Sequence, residues 1–297
     1  MTPGPYADAA GLVERSAAAY AAAVPAAPED DGFFGPASVA WRVSTDLAAP
    51  VAGLRSLLIQ ALHPLAMAGV DQHSDWRTDP VGRLAATSAY EATVTFGDRA
   101  SATRAAQRVR AIHEHVRGVD AVTGQPYAAG DPALLLWVHA ALVDSGLAAS
   151  TLFGSPLTAA DADGYVAEMT IAAELLGVPP EMVPDSVADL ERYFAGVRAD
   201  LRRTPAAAES MSYLLDPPGL DEDIAELWQD IRNAAVMALP GWAIQMYGYA
   251  EPPPLTAERR TEIRQALGVL DAVFLGEPGV LEARQRIIAR MRSAGRT

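Results

Sequence analysis

DPVGRLAATSAYEATVTFGD, residues 79–98, opens with Asp79 ahead of Pro80 and closes on Gly97 before a second aspartate, Asp98. An aspartate carboxylate accepts the free N–H groups of a first helical turn. Proline at the first helical position gives up no hydrogen bond there. The stretch therefore predicts a helix from Pro80 to about Phe96 that ends at Gly97, with Asp98 or Ser101 capping a second helix. That second helix is predicted to run to Val116 and stop at Gly118. One helix handing over to another with no alternating segment between them points to an all-helical chain.

The same reading extends in both directions. Asp131-Pro132 repeats the start signal for a helix through Trp137 and His139 to about Leu147. Residues 50–62 place Val51, Leu54, Leu57, Leu58 and Leu62 on one face, and that helix stops near His63 because Pro64 disfavours helix in the residue before it. Residues 6–24 form an alanine-rich helix ended by Pro25, followed by a polar link to Gly35. Further helices are predicted at roughly 157–176, 185–203, 222–238, 256–272 and 279–293. Alternating β patterns are almost absent, and no repeat or long linker divides the chain. The expected fold class is all-α, a single large helical domain.

Composition removes several kinds of chemistry. The 297 residues contain no cysteine, which excludes disulfides, thiolate nucleophiles and cysteine-held metals. All 23 basic residues are arginine, so Schiff-base and lysine-base mechanisms are excluded as well. A net charge of −14 argues against a nucleic-acid partner. The longest apolar runs, Ala133–Val143 and Val236–Tyr247, are short or interrupted by His139 and by Pro240-Gly241, so no transmembrane segment is expected. Glu14 and Arg15 stand where an export signal needs its apolar core, and a cytoplasmic protein is the expectation.

All five histidines lie between His63 and His139. His113 and His115 are two residues apart, about 200° around a helix, so both cannot ligate one ion from an unbroken helix. The face through Val109, Ile112, His113 and Val116 is apolar, which makes His113 the buried member. A lone imidazole on such a face is a satisfied core residue or a single metal ligand. His139 sits among Leu135, Leu136, Trp137, Val138 and Leu142, so it is expected to be buried and neutral. His63 and His73 flank a short helical turn, either as turn residues or in a pocket. Arg83 and Thr87 share one helix face about 6 Å apart along the axis. They hold a polar ligand there, or else the arginine faces solvent and the threonine bonds back to its own turn. His-Glu-x-x-His, Glu-x-x-His, Gly-x-Ser-x-Gly and glycine-rich nucleotide motifs are all absent.

Read in order, these phrases resemble the MpaB/rubber-oxygenase catalytic domain. The likeness is carried by Gly35-Pro-Ala-Ser38 with Trp41-Arg42, Leu57 to His63-Pro64, Gly69-Val70 with His73-Ser74, and Asp79-Pro80 with Arg83 and Thr87. It continues through Val109-Arg110 with His113, Val116 and Gly118, then Tyr127, Asp131-Pro132 and Trp137-Val-His139. It covers roughly residues 33–275. Residues 1–32 are then an N-terminal helix and link, and residues 276–297 a C-terminal helix packed on the same domain.

The resemblance implies one b-type haem, with its iron held by the histidine that matches His113. It also implies an arginine and a threonine near the haem that match Arg83 and Thr87. The candidate catalytic residues are thus Arg83, Thr87 and His63, and the candidate cofactor contacts His113, Arg83, Thr87 and His139. The chain departs from rubber-cleaving members where their glutamate would fall, near Met67. The implied activity is O₂-dependent oxidation of an apolar, unsaturated small molecule other than polyisoprene. Haem binding or sensing without turnover is the alternative, and a helical scaffold without cofactor a third.

Overall fold

The computed structural model describes residues 11–220, 222–250, 252 and 254–295. Its helices start on the side chains that signalled them. Asp79 accepts from the Gly82 N–H at 3.0 Å, Asp98 from Ser101 at 2.7 Å and Asp131 from Ala133 at 2.8 Å. Each such cap satisfies an otherwise unpaired N–H and stabilises its helix by about 1 kcal/mol.

In chain order the described helices are α1 (Leu12–Ala23), α2 (Val39–Ser44), α3 (Ala49–Gln60), α4 (Pro64–His73), α5 (Pro80–Phe96) and α6 (Arg99–His113). A two-stranded antiparallel hairpin follows, β1 (Arg117–Val119) with β2 (Pro126–Ala128). Then come α7 (Pro132–Phe153), α8 (Ala159–Leu176), α9 (Val187–Val197), α10 (Pro205–Leu215), α11 (Glu222–Met237), α12 (Gly241–Tyr247), α13 (Ala257–Gly276) and α14 (Val280–Ser293). The all-α class holds. The helix expected from residue 6 begins outside the described residues.

Several boundaries differ from the sequence reading. α6 stops at His113, three residues before Val116, because the chain turns there into the hairpin. The strands pair Gly118 with Tyr127, and a Cβ on Gly118 would meet the Tyr127 hydroxyl at 2.6 Å. Gly118 is therefore a point of close approach and not a helix stop. The turn expected between His63 and His73 is the full helix α4. The short helices α2, α10 and α12 were not anticipated. α7 runs six residues past Leu147, and its 22 residues are long and apolar enough to cross a membrane by length and composition alone. Twelve of those residues are buried inside the fold, however.

α3 and α7 pack along each other at the centre, where Leu58, Ile59, Leu62, Trp137 and Phe153 are fully buried. Leu57, expected on the same apolar face, is only partly buried. Arg55, 3% exposed, enters this core from α3. It donates to the Ala238 carbonyl at 2.8 Å and to the Ser145 hydroxyl at 2.7 Å, and pairs with Asp144 at 2.7 Å. α3 and Leu62 just beyond it receive further long-range bonds, including one from the Trp137 indole N–H to the Gln60 carbonyl at 3.0 Å. The Tyr247 hydroxyl donates to the Leu58 carbonyl at 2.5 Å, and the Arg202 N–H to the Leu62 carbonyl at 2.8 Å. At His63-Pro64 the chain then bends by 102° into α4. α5 is braced on α1 and α6, and α7 on α3 and α8.

Candidate functional site

α5 carries Arg83, Thr87 and Glu91 at successive four-residue steps, which puts all three on one face. Each leaves side-chain surface open. Arg83 and Glu91 are nevertheless walled in by enough protein for burial to disfavour their charged forms, lowering the Arg83 pKa and pushing Glu91 up to about 7. Arg83 donates to the Ser74 hydroxyl at 2.8 Å, just past the end of α4, and has no carboxylate partner among the described residues. The Thr87 hydroxyl donates to the Arg83 carbonyl at 3.1 Å, the bond expected of a threonine satisfying its own turn.

His113, the last residue of α6, is half-buried. Its Nδ1 is enclosed and has no hydrogen-bond partner. Burial lowers its pKa, and the nearby Arg83 charge lowers it further, so the imidazole is neutral at pH 7. The structure thus brings Arg83 and His113 together from different helices, with Thr87 and Glu91 further along the Arg83 face. The apolar face expected around His113 is only partly realised, since the preceding Ile112 is 62% exposed. His115 lies beyond the helix and is exposed.

At the far end of this face the Glu91 charge raises the Tyr90 and Tyr165 phenol pKa values, after burial itself, and the Tyr90 hydroxyl is buried without a partner. Tyr165, on α8, packs so closely under α7 that a Cβ on Gly146 would meet its hydroxyl at 2.6 Å. Glu91 escaped the sequence reading. The signal that would have found it is the third step of the Arg83–Thr87 spacing.

The remaining candidates are placed elsewhere. His139, on α7, is half-buried, and burial pushes its pKa down to about 4. No hydrogen bond or ion pair joins it to His113 or Arg83 among the described residues. His63 occupies the N-cap position of α4 without a capping bond and is 9% exposed. Its ring packs on Trp137 at 5.8 Å, and it lines a separate groove of about 380 Å³ with Leu65, Tyr127, Asp131 and Leu134. The length of α4, about 15 Å for ten residues, lies between His63 and the Ser74–Arg83 contact. His73 instead anchors the hairpin, its Nε2 lying 3.1 Å from the Arg117 carbonyl. Among the described residues no three histidines or carboxylates converge on one point. A metal at His113 would therefore take that imidazole as its single protein ligand.

Glu91 yields a test of this geometry. Its pKa is raised in the folded chain, so the favourable linkage is complete below its ordinary value of 4.5 and is lost as pH rises toward about 7. Glu91→Gln removes that loss. The variant is expected to match the wild type in thermal stability near pH 4 and to exceed it near pH 8. An unchanged difference across that range would show that Glu91 is well hydrated.

Over residues 41–272 the chain matches the family described as ER-bound oxygenase mpaB/B′/rubber oxygenase, catalytic domain, and it belongs to that family. The fold around Arg83 and His113 is thus that of an oxygenase catalytic domain. No curated protein and no solved structure matches the chain.

Proposed function

We propose that the chain binds one haem b through His113 and uses it with O₂ to oxidise an apolar, unsaturated small molecule. The observation that carries this is the His113–Arg83 pair. A haem iron takes one neutral imidazole as its proximal ligand, and His113 is neutral, alone and lacking a partner at Nδ1. The enclosure of Nδ1 leaves Nε2 as the nitrogen free to ligate. Haem propionates call for a guanidinium, and Arg83 stands beside His113 with no carboxylate of its own. The residues present therefore fit the group.

When bound, haem supplies the activation of O₂. The chain's own contribution starts with Arg83, whose charge adds to the larger effect of burial in holding the His113 imidazole deprotonated and whose Ser74 bond fixes its position. Glu91 is poised near neutrality and can hold or release a proton at its carboxyl group on the same helix face. The Thr87 hydroxyl, already donating to Arg83, keeps its lone pairs for a donor on the substrate side. Met67, where the resemblance sets the glutamate of rubber-cleaving members, is 3% exposed in an apolar cluster with Trp76 and Tyr213. That supports a substrate other than polyisoprene. It also favours a second reading, haem binding or sensing without turnover.

Titrating the purified protein with haemin, followed by absorption, tests the first half. A saturable Soret band at one haem per chain is expected, and its absence overturns the proposal. O₂ uptake with unsaturated fatty acids, terpenoids and polyisoprene latex tests the second. A Soret band with no uptake selects the second reading, and uptake on latex alone overturns the substrate assignment.

A further inference from the structure

Residues 99–119 hold five arginines against one glutamate, a local charge of +4 in a chain whose total is −14. Elsewhere arginines are mostly tied up, in ion pairs such as Arg42–Asp161 and Arg284–Asp271 or in backbone bonds such as those of Arg264. Here Arg104, Arg108, Arg110 and Arg117 are all exposed and none forms an ion pair among the described residues, although Arg104 donates to the nearby Ser101 hydroxyl and Arg117 to the Glu114 carbonyl, both at 2.9 Å. Arg104 and Arg108 lie one turn apart on the outer face of α6, opposite buried Ala102, Ala105 and Ala106. Ile112 continues that face and is 62% exposed. The hairpin that follows adds Val119 and Val122, 56% and 51% exposed.

An arginine row beside protruding aliphatic side chains combines the two features that an anionic lipid surface can engage. Unpaired guanidinium groups match phosphate, and aliphatic tips match the acyl boundary of a bilayer. We propose that the outer face of α6 and the β1–β2 hairpin dock the protein on an anionic lipid surface. Nucleic acid fits less well, because Ile112, Val119 and Val122 would gain nothing from a phosphate backbone. This contact lies on the surface of the bilayer and needs no spanning helix. Ile112 immediately precedes His113, so docking sets the candidate ligand next to the phase in which an apolar substrate dissolves. That last step rests on the proposed function, whereas the docking does not.

The test is flotation of the full chain, without added haem, with phosphatidylglycerol-containing or pure phosphatidylcholine vesicles. Binding to the anionic vesicles alone is expected, weakening as salt rises. Each arginine neutralised should cost about five-fold in affinity, so R104Q/R108Q should lose about twenty-five-fold. Ile112→Ser should weaken the binding that survives at high salt. All of these positions are exposed, and matching melting temperatures would show that the variants fold. Equal binding by R104Q/R108Q, no preference for anionic lipid, or tighter binding to single-stranded RNA than to vesicles would each overturn the proposal. Failure of haem loading with vesicle binding intact would count against the haem reading alone.

Discussion

Arg55→Ala is expected to lower the unfolding free energy by about 3–5 kcal/mol, because it strands the partners of a buried charge. Three groups lose their donor together: the Ala238 carbonyl, the Ser145 hydroxyl and the Asp144 carboxylate. Asp144 keeps about a third of its side-chain surface in water and recovers part of the loss, which favours the lower end of the range. Domains are stable by about 5–15 kcal/mol in total, so the variant should melt far earlier and express poorly. Arg55→Met preserves the volume but also strands the three acceptors, so it should recover little. Chemical denaturation of the three proteins would measure this. A loss below about 1 kcal/mol for Arg55→Ala would mean that water replaces the guanidinium and that the site is less enclosed than described.

The second large effect concerns the proposed cofactor. His113→Ala should abolish stable haem loading, whereas His115→Ala should retain it, since one imidazole is enclosed beside Arg83 and the other faces solvent. Removing a sole protein ligand is expected to lower affinity by orders of magnitude, and haem content per chain after gel filtration would report it. Free imidazole should partly restore the Soret band in His113→Ala by filling the space left behind. Loss of haem in His115→Ala with retention in His113→Ala would reverse the assignment.

The fold was legible wherever one side chain commits the backbone. The Asp79, Asp98 and Asp131 caps and the apolar face of α3 are local signals, and the structure follows them. What escaped was set by distance or brevity. Strands of three residues cannot display alternation, so the hairpin at 117–128 was read as the tail of α6 and the loop beyond it. α10 starts with Thr204 capping Ala207, a readable signal, yet it is held by α3 and α4, which the sequence does not place beside it. Helix faces and phrase order singled out His113 and Arg83, but only the packing of α5 on α6 sets them side by side. His63 was read from its phrase alone, and the bend at Pro64 sets it against Trp137 and in the groove with Tyr127 and Leu134. Glu91 belonged to no recognised phrase and drew attention only through its surroundings.

Three of the long-range bonds at α3 and at Leu62 just beyond it also bear on how the chain is made. Leu62, Arg55 and Leu58 wait for partners at Arg202, Ala238 and Tyr247, 140 to 189 positions later. At about 5–20 residues per second, a ribosome leaves α3 incomplete for roughly ten to forty seconds after it emerges. Throughout that interval its leucines and the Arg55 guanidinium face whatever is nearby, including other nascent chains. The central core thus closes late, and a nascent chain halted before residue 202 would expose a sticky central helix to the cell's folding helpers.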